Sequence, residues 1–338
     1  LRQSDIEVHD AAIVWIDEAR DAPPLVLDSL YLHLVNSGRR HRFGLRATPP
    51  PELASPLDLR GDLRGGSVAA LSDWNGKLFL QLDYADIAAW RTWMPFPIEL
   101  PHGAGALRAW LTFSRDRLVE VVADARLTDV NTRLAADLPM LDLSHLSGRL
   151  VWKHSDEAFE VSTSKLRLTT TGGLTLPPVE FLLRVSTPEA RRKGGELKTD
   201  ALELAPLVAL ADHLPLGGEV RRQLAEYSPK GTLRDVVASW SGEWSEPQQF
   251  SARGRFLGMS LNRSGRFPGF SGVSGRVEAS ERGGTLSVNG QKTVVDMPRV
   301  FRAPLEFEEL SAQVSWARTG GETELWLNNI AFSNAHLD

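Results

Sequence analysis

The chain of 338 residues contains no cysteine, which excludes disulfides, thiolate metal sites and cysteine nucleophiles. It has no long apolar run either: the longest, "AAIVWI" at 11–16, is far too short to cross a bilayer. An excess of charge of one sign is also missing. The 38 Lys and Arg stand against 43 Asp and Glu, a net of −5 with both signs mixed along the chain. With no basic stripe to neutralise phosphates, a nucleic-acid partner is not expected. The eight histidines form neither HxxxH nor HExxH, so a metal site is not expected. The nearest pairs, His33/His41 and His145/His154, fall in or beside predicted hairpin turns and read as solvated. "GFSGVSG" at 269–275 lacks the spacing of a nucleophile elbow, and "GAGALR" at 103–108 is too short for a dinucleotide fingerprint and precedes a strand. Acidic pairs such as Asp58 and Asp62 carry little weight among so many carboxylates. Neither enzyme chemistry nor a cofactor is expected.

What the chain does have is period-2 alternation, broken at short intervals by turn residues. "SLYLHLVN" puts Leu30, Leu32 and Leu34 on one face, and "KLFLQLDY" does the same with Leu78, Leu80 and Leu82. That is the pattern of an antiparallel sheet with one apolar face. Gly-Gly pairs at 65–66, 172–173, 194–195, 283–284 and 320–321 separate such runs and suit the positive-φ positions of tight hairpins.

One piece of this pattern recurs four times: "LYLHLVNSG" from Leu30, "LSGRLVWKH" from Leu146, "VSGRVEASE" from Val273 and "LSAQVSWAR" from Leu310. An apolar residue follows four positions later in each (Leu34, Leu150, Val277, Val314), and another fifteen positions after the first (Leu45, Val161, Val288, Leu325). The segments from Leu143 and Phe270 align without a gap at an offset of 127 and share Gly148/Gly275, Arg149/Arg276 and Lys165/Lys292. Repeats near 23–50, 140–170, 267–297 and 304–330, with hairpins nested inside them, are expected of a β-array that extends in one direction. These twelve positions, with Trp152, are the candidate apolar-face residues.

Stretches at 86–94, 201–214 and 218–228 break the alternation and read as short helical insertions near 86–94 and 201–228. The first starts at Asp86, suited to an N-cap, and stops at Pro95. Of ten tryptophans, Trp15, Trp110, Trp152, Trp240, Trp316 and Trp326 fall in predicted strands. They read as cross-strand packing residues, or as the lining of a surface where an apolar ligand lies. The basic turns at 37–42 and 189–195 read as solvated hairpin tips, with contact to anionic headgroups as the alternative. The chain opens at Leu1 without a Met and is read as a continuous segment, 1–338, of a longer polypeptide. Any export signal or anchor would lie outside it.

The ordered series "PPLVLDSLYLHLVNSGRRHRFGLRATPP" (23–50), "LDLRGDLRG" (57–65), "LDYADIAAWRTWMPFPIELPHGAGALRAWLTF" (82–113) and "RFPGFSGVSGRVEASERGGTLSV" (266–288) resembles the YhdP family of AsmA-like proteins. The resemblance implies a mainly β fold: an elongated, curved antiparallel sheet forming a groove with an apolar inner face. It implies a periplasmic conduit for phospholipid between inner and outer membranes, without covalent chemistry. Attachment to the inner membrane would come through a segment not present here, and further envelope proteins are implied as partners. The residues alone leave open a structural or protein-interaction scaffold, and a carbohydrate-binding sandwich.

Overall fold

In the computed structural model, which describes residues 3–18, 22–66, 73–93, 99–115, 117–243, 246–265 and 267–334, the alternating runs are strands. They are β1 (Asp5–Trp15), β2 (Leu25–Ser37), β3 (Arg40–Thr48), β4 (Leu57–Arg64), β5 (Asn75–Asp86), β6 (Glu99–Ser114), β7 (Arg117–Arg133), β8 (Leu141–His154) and β9 (Ala158–Thr170). The series continues with β10 (Thr175–Ser186), β11 (Gly194–Glu203), β12 (Lys230–Glu243), β13 (Glu246–Leu261), β14 (Gly269–Ser280), β15 (Gly283–Asp296), β16 (Leu305–Thr319) and β17 (Glu322–Ser333). All belong to one open antiparallel sheet of 17 strands. Strands adjacent in sequence are paired within the sheet, as hairpins require. The chain divides into two compact units, one of Leu1–Ser155 and Phe159–Pro178, the other of Asp156–Ala158 and Val179–Asp338.

Strands this long do not stay regular. Seven non-glycine residues inside them, Asp10, Ser29, Asp129, Lys165, Asp235, Lys292 and Asn329, have positive φ. Each sits at a break in register with a neighbouring strand. These are β-bulges, which add a residue on one side of a pair and bend the strand. The repeat-equivalent lysines 165 and 292 both occupy a bulge, with φ of 54° and 53°. The sequence repeat therefore carries backbone shape as well as facing.

Of the Gly-Gly pairs, 320–321 lies in a turn with both φ positive, at 62° and 91°. The pairs at 194–195 and 283–284 instead open β11 and β15. Gly195 is the register partner of Trp240, and Gly284 of Trp316. A Cβ on Gly195 would lie 2.2 Å from the Trp240 ring, and one on Gly284 would lie 2.5 Å from that of Trp316. Gly61 faces Phe43 in the same way, with a Cβ-to-ring distance of 2.1 Å. Glycine is required here because an aromatic ring lies flat across the neighbouring backbone.

Short helical pieces connect some strands. Residues Ala89–Thr92 form a 3-10 turn, with the backbone N–H of Ala89 donating to Asp86 Oδ1 at 3.0 Å. Met94 and Pro95, where this piece was expected to stop, lie outside the described residues. Its indoles are tied down: Trp90 Nε1 donates to the Leu53 carbonyl at 3.3 Å and Trp93 Nε1 to that of Pro23 at 2.9 Å. In the second unit, α1 (Leu204–Leu210), a 3-10 turn (Ala211–His213) and α2 (Gly218–Tyr227) link β11 to β12. Residues 201–203 extend β11 rather than α1, because Ala201, Leu202 and Glu203 pair with Arg234, Leu233 and Thr232. Ser228, with a left-handed φ of 40°, ends α2 by donating its N–H to the Leu224 carbonyl at 2.9 Å.

The glycine–aromatic pairing is testable by a single methyl group. Gly61→Ala, whose new Cβ would have three Phe43 ring atoms as its nearest neighbours, is expected to cost about 1–3 kcal/mol by overpacking, read from urea unfolding. Gly44→Ala has nothing within 4 Å of its new Cβ and should change stability by less than about 0.5 kcal/mol. Equal effects from the two would show that the rings move aside freely.

Candidate functional site

Partners in an antiparallel register share a face, so the pairings can be followed across a sheet as rows. In the first unit one row runs Ile6, Leu34, Phe43, Gly61, Leu78, Leu111, Val121, Trp152, Val161. The next runs Val8, Leu32, Leu45, Leu59, Leu80, Ala109, Ala123, Leu150, Thr163. Thr163 is the one polar member of these two rows. A shorter row joins Leu127, Leu146 and Leu168.

The second unit repeats the arrangement. One row runs Leu183, Leu197, Ala238, Ala252, Ala279, Gly284, Trp316, Leu325. Others run Val277, Leu286, Val314, Leu327, then Leu233, Phe256, Gly275, Val288, Ala312, then Met259, Val273, Gly290, Leu310, Phe332. Twelve of the thirteen candidate residues are members of these rows, while Leu30 pairs with Ala11 and packs in a buried cluster with Leu82 and Ala85. The pairing of the candidates differs from copy to copy, however. Leu45 pairs with Leu32 and Val288 with Gly275, two residues past the start of the repeat, whereas Val161 pairs with Trp152 and Leu325 with Trp316, six past it. The shared spacing conserves the face, not the hairpin register.

The opposite face of the first unit is built from alternating charge. One of its rows runs Arg42, Asp62, Lys77, Thr112, Glu120, Lys153, Glu160, and another runs Arg46, Asp58, Gln81, Arg108, Asp124, Arg149. Arg149 grips Asp124 with two hydrogen bonds, of 2.6 and 2.7 Å, and Arg60 grips Asp58 at 2.8 and 2.7 Å. Both carboxyls are held below the ordinary aspartate range, chiefly by those guanidinium hydrogen bonds. Between the charged rows lies Phe79 beside Trp110. Arg60 covers the Phe79 ring at 5.7 Å and Arg149 covers Trp110 at 5.8 Å. Trp110 is therefore a residue of the charged face; in the second unit Trp326, whose partner is Ser315, lies on the face opposite Leu325 and Leu327.

The apolar face differs greatly in openness along its length. Leu30 is 2% exposed, clustered with Ala47, Ala54, Leu57, Leu82 and Ala85 under Ile87 and Trp90. Leu25 is covered by Leu53 and Trp93. By contrast Leu150 is 44% exposed and Leu325 59%. His41, expected to be solvated, is instead buried and stacked on Trp74, with ring centroids 5.0 Å apart. Its Nδ1 donates to Asn36 Oδ1 at 2.7 Å, since the Asn36 amide nitrogen already donates to the Gln3 carbonyl at 2.6 Å.

The profile of a family described as YhdP protein matches residues 1–338. The chain belongs to the YhdP family. A curated relative, the intermembrane phospholipid transporter YhdP of Escherichia coli (strain K12), is 22% identical over 346 residues. The match takes in 98% of this chain and 26% of that relative, so the chain spans about a quarter of the relative's length. No solved structure matches the chain. Among the described residues, no helix is long and apolar enough to cross a membrane, and no cluster of three or more His, Asp or Glu could hold a metal ion.

Sequence reasoning passed over much of the apolar face: Leu111, Val121, Ala123 and Leu127 in the first unit, and Leu286, Phe256 and Leu327 in the second. The same period-2 signal marks them. None of them stands at a position shared by the four copies of the repeat, so the repeat does not mark them.

The ion pairs of the charged face make a pH prediction. The folded pKa of Asp124 is depressed, so its pair contributes stability above the unfolded aspartate value of about 3.9 and loses it as pH falls through the folded value. Both side chains remain part-exposed, at 33% and 49%, so Asp124→Asn should cost no more than about 1 kcal/mol at neutral pH. The gap between variant and parent, measured by denaturant titration, should close on acidification. A gap that persists at low pH would assign the role of Asp124 to packing.

Proposed function

We propose that the apolar face holds the acyl chains of phospholipids and that this chain is one segment of a longer periplasmic conduit between inner and outer membranes. The observation that carries the reading is the pair of nearly all-apolar rows crossing nine strands from Ile6 to Val161 and from Val8 to Thr163, with members as open as Leu150. The relative's name, an intermembrane phospholipid transporter, points the same way.

The energetics match the task. A 16-carbon chain in water costs on the order of 12 kcal/mol, at about 0.8 kcal/mol per CH₂. Movement through an aqueous space therefore requires apolar shielding over the whole path. Rows of Leu, Val and Ala shield without a polar group that would hold a headgroup in place, so a lipid can slide from one strand to the next. The process needs no covalent step. Anchoring in the inner membrane would be supplied by a part of the protein outside this chain, as would contacts to envelope proteins. The scaffold reading draws on the cluster around Leu30, where the protein covers its own apolar face.

The test compares two substitutions on β8. Leu150→Asp puts a carboxylate into an apolar row, which costs several kcal/mol where the surroundings are hydrocarbon. Lys153→Gln changes the opposite face, where Lys153 lies between Glu120 and Glu160 at 3.8 and 3.5 Å. With photo-crosslinkers at Val161 and Val288, the Leu150→Asp protein should recover about tenfold less bound phospholipid and the Lys153→Gln protein an unchanged amount. Circular dichroism and melting establish that both variants are folded. Equal recovery from the two would remove the reason to call this face a conduit and would favour a scaffold.

A further inference from the structure

Helix α2 does not close down on the sheet. Its apolar side chains Val220, Leu224 and Tyr227 recur at helical spacing and stand opposite Leu261, Phe267 and Phe270, with a pocket of about 550 Å³ between them. That is within the size range of sites for small ligands, roughly 300–1,000 Å³. Its wall carries no charged side chain; the polar atoms are those of Gln223, whose amide already donates to Glu219 Oε1 at 2.8 Å, and the Tyr227 hydroxyl. The floor continues the apolar face of the second unit, since Leu261 pairs with Phe270 next to the pair of Met259 and Val273. At the mouth, Phe267 is 67% exposed and meets the Tyr227 ring edge-on at 6.2 Å.

The lining selects its occupant. The backbone around the pocket is already paired: Asn262 N–H donates to the Tyr227 carbonyl at 2.7 Å, Phe267 N–H to that of Ser264 at 2.8 Å, and Ser228 N–H to that of Leu224 at 2.9 Å. A polypeptide inserted here would bring its own N–H and C=O groups against a wall with few partners for them, and each group left unpaired is costly. A charged headgroup would meet the same lack. A hydrocarbon chain brings no polar group.

We propose that α2 and the ends of β13 and β14 form a side pocket that shelters the tail of one acyl chain, its headgroup remaining outside past Phe267. The proposal rests on the lipid-handling reading and adds to it a place where cargo leaves the open rows and rests. A slot walled by a helix on one side and a sheet on the other holds one chain longer than an open face does, so this is where lipid should be retained when the rest of the face is empty.

The experiment uses the whole chain and a palmitic acid analogue carrying a diazirine near its methyl end, with labelled peptides mapped by mass spectrometry. Label is expected on 218–229 and 261–270, and excess unlabelled palmitate should compete it away. Leu224→Glu should lower labelling there by about tenfold, the equivalent of about 1.4 kcal/mol, while label on β8 and β9 persists. Phe267→Ser removes a 67% exposed ring at the mouth without adding a charge and should also lower pocket labelling. Label on β8 and β9 with none in the pocket would overturn the side pocket and leave the conduit standing. Label in the pocket with none on β8, β9 or β15 would support the pocket and overturn the conduit. Pocket labelling unchanged in both variants would show that the probe binds elsewhere on those peptides and would sink the proposal.

Discussion

Register is the constraint on which the rest depends. A strand has two faces and its side chains alternate between them, so a slip of one residue exchanges every apolar side chain for a polar one. In the first unit this applies at each of the pairings from β1 to β9, because one row must stay apolar through all of them. The bulges are part of the same system. At Asp129 or Lys165 the backbone takes an extra residue through a positive φ, and Leu143 and Leu168 beyond these points still lie with Val130 and Leu127 on the apolar side. The chain can thus bend without losing its facing.

The two faces are held by different physics. On the charged face, arginines bridge carboxylates on the same or neighbouring strands and cover the rings of Phe79 and Trp110. Each exposed pair is worth little on its own, but opposite charges placed in register disfavour slipped pairings, where like charges would meet. On the apolar face, burial contributes most where the chain folds back over it, as at Leu30 under Trp90. Elsewhere Leu, Val and the rings laid over glycines remain part-open. A protein that left so much apolar surface uncovered with no occupant would gain little from it. On the proposed reading the lipid supplies the missing cover.

Sliding and holding place opposite demands on such a face. Uniform rows of aliphatic side chains give no position a strong advantage over the next, which suits passage. A pocket under α2 gives one position an advantage and suits retention. Both kinds of surface occur within the second unit, where the row through Val273 and Leu310 adjoins the Leu261–Phe270 pair beneath the helix.

Fold class and facing were legible in the sequence because alternation is a local property. Leu34, Leu150, Val277 and Val314 could be assigned to an apolar face from their neighbours alone, and the YhdP resemblance could be read from ordered motifs. The role of the glycines at 195 and 284 could not, because the rings they accommodate belong to Trp240 and Trp316, 45 and 32 residues further along. The same holds for hairpin register: Val161 and Leu45 share a repeat position yet pair differently, since the place of the turn, not spacing from the repeat start, sets which residues meet. His41 lost its solvent to Trp74, and Trp110 on β6 found its arginine, Arg149, two strands away on β8. The sequence by itself determined which side of each strand is apolar. Only the tertiary structure decided which of those apolar residues is closed, like Leu30, and which is open, like Leu150, because the cover comes from Leu53, Ile87 and Trp90, residues that no local pattern connects to the strands they protect.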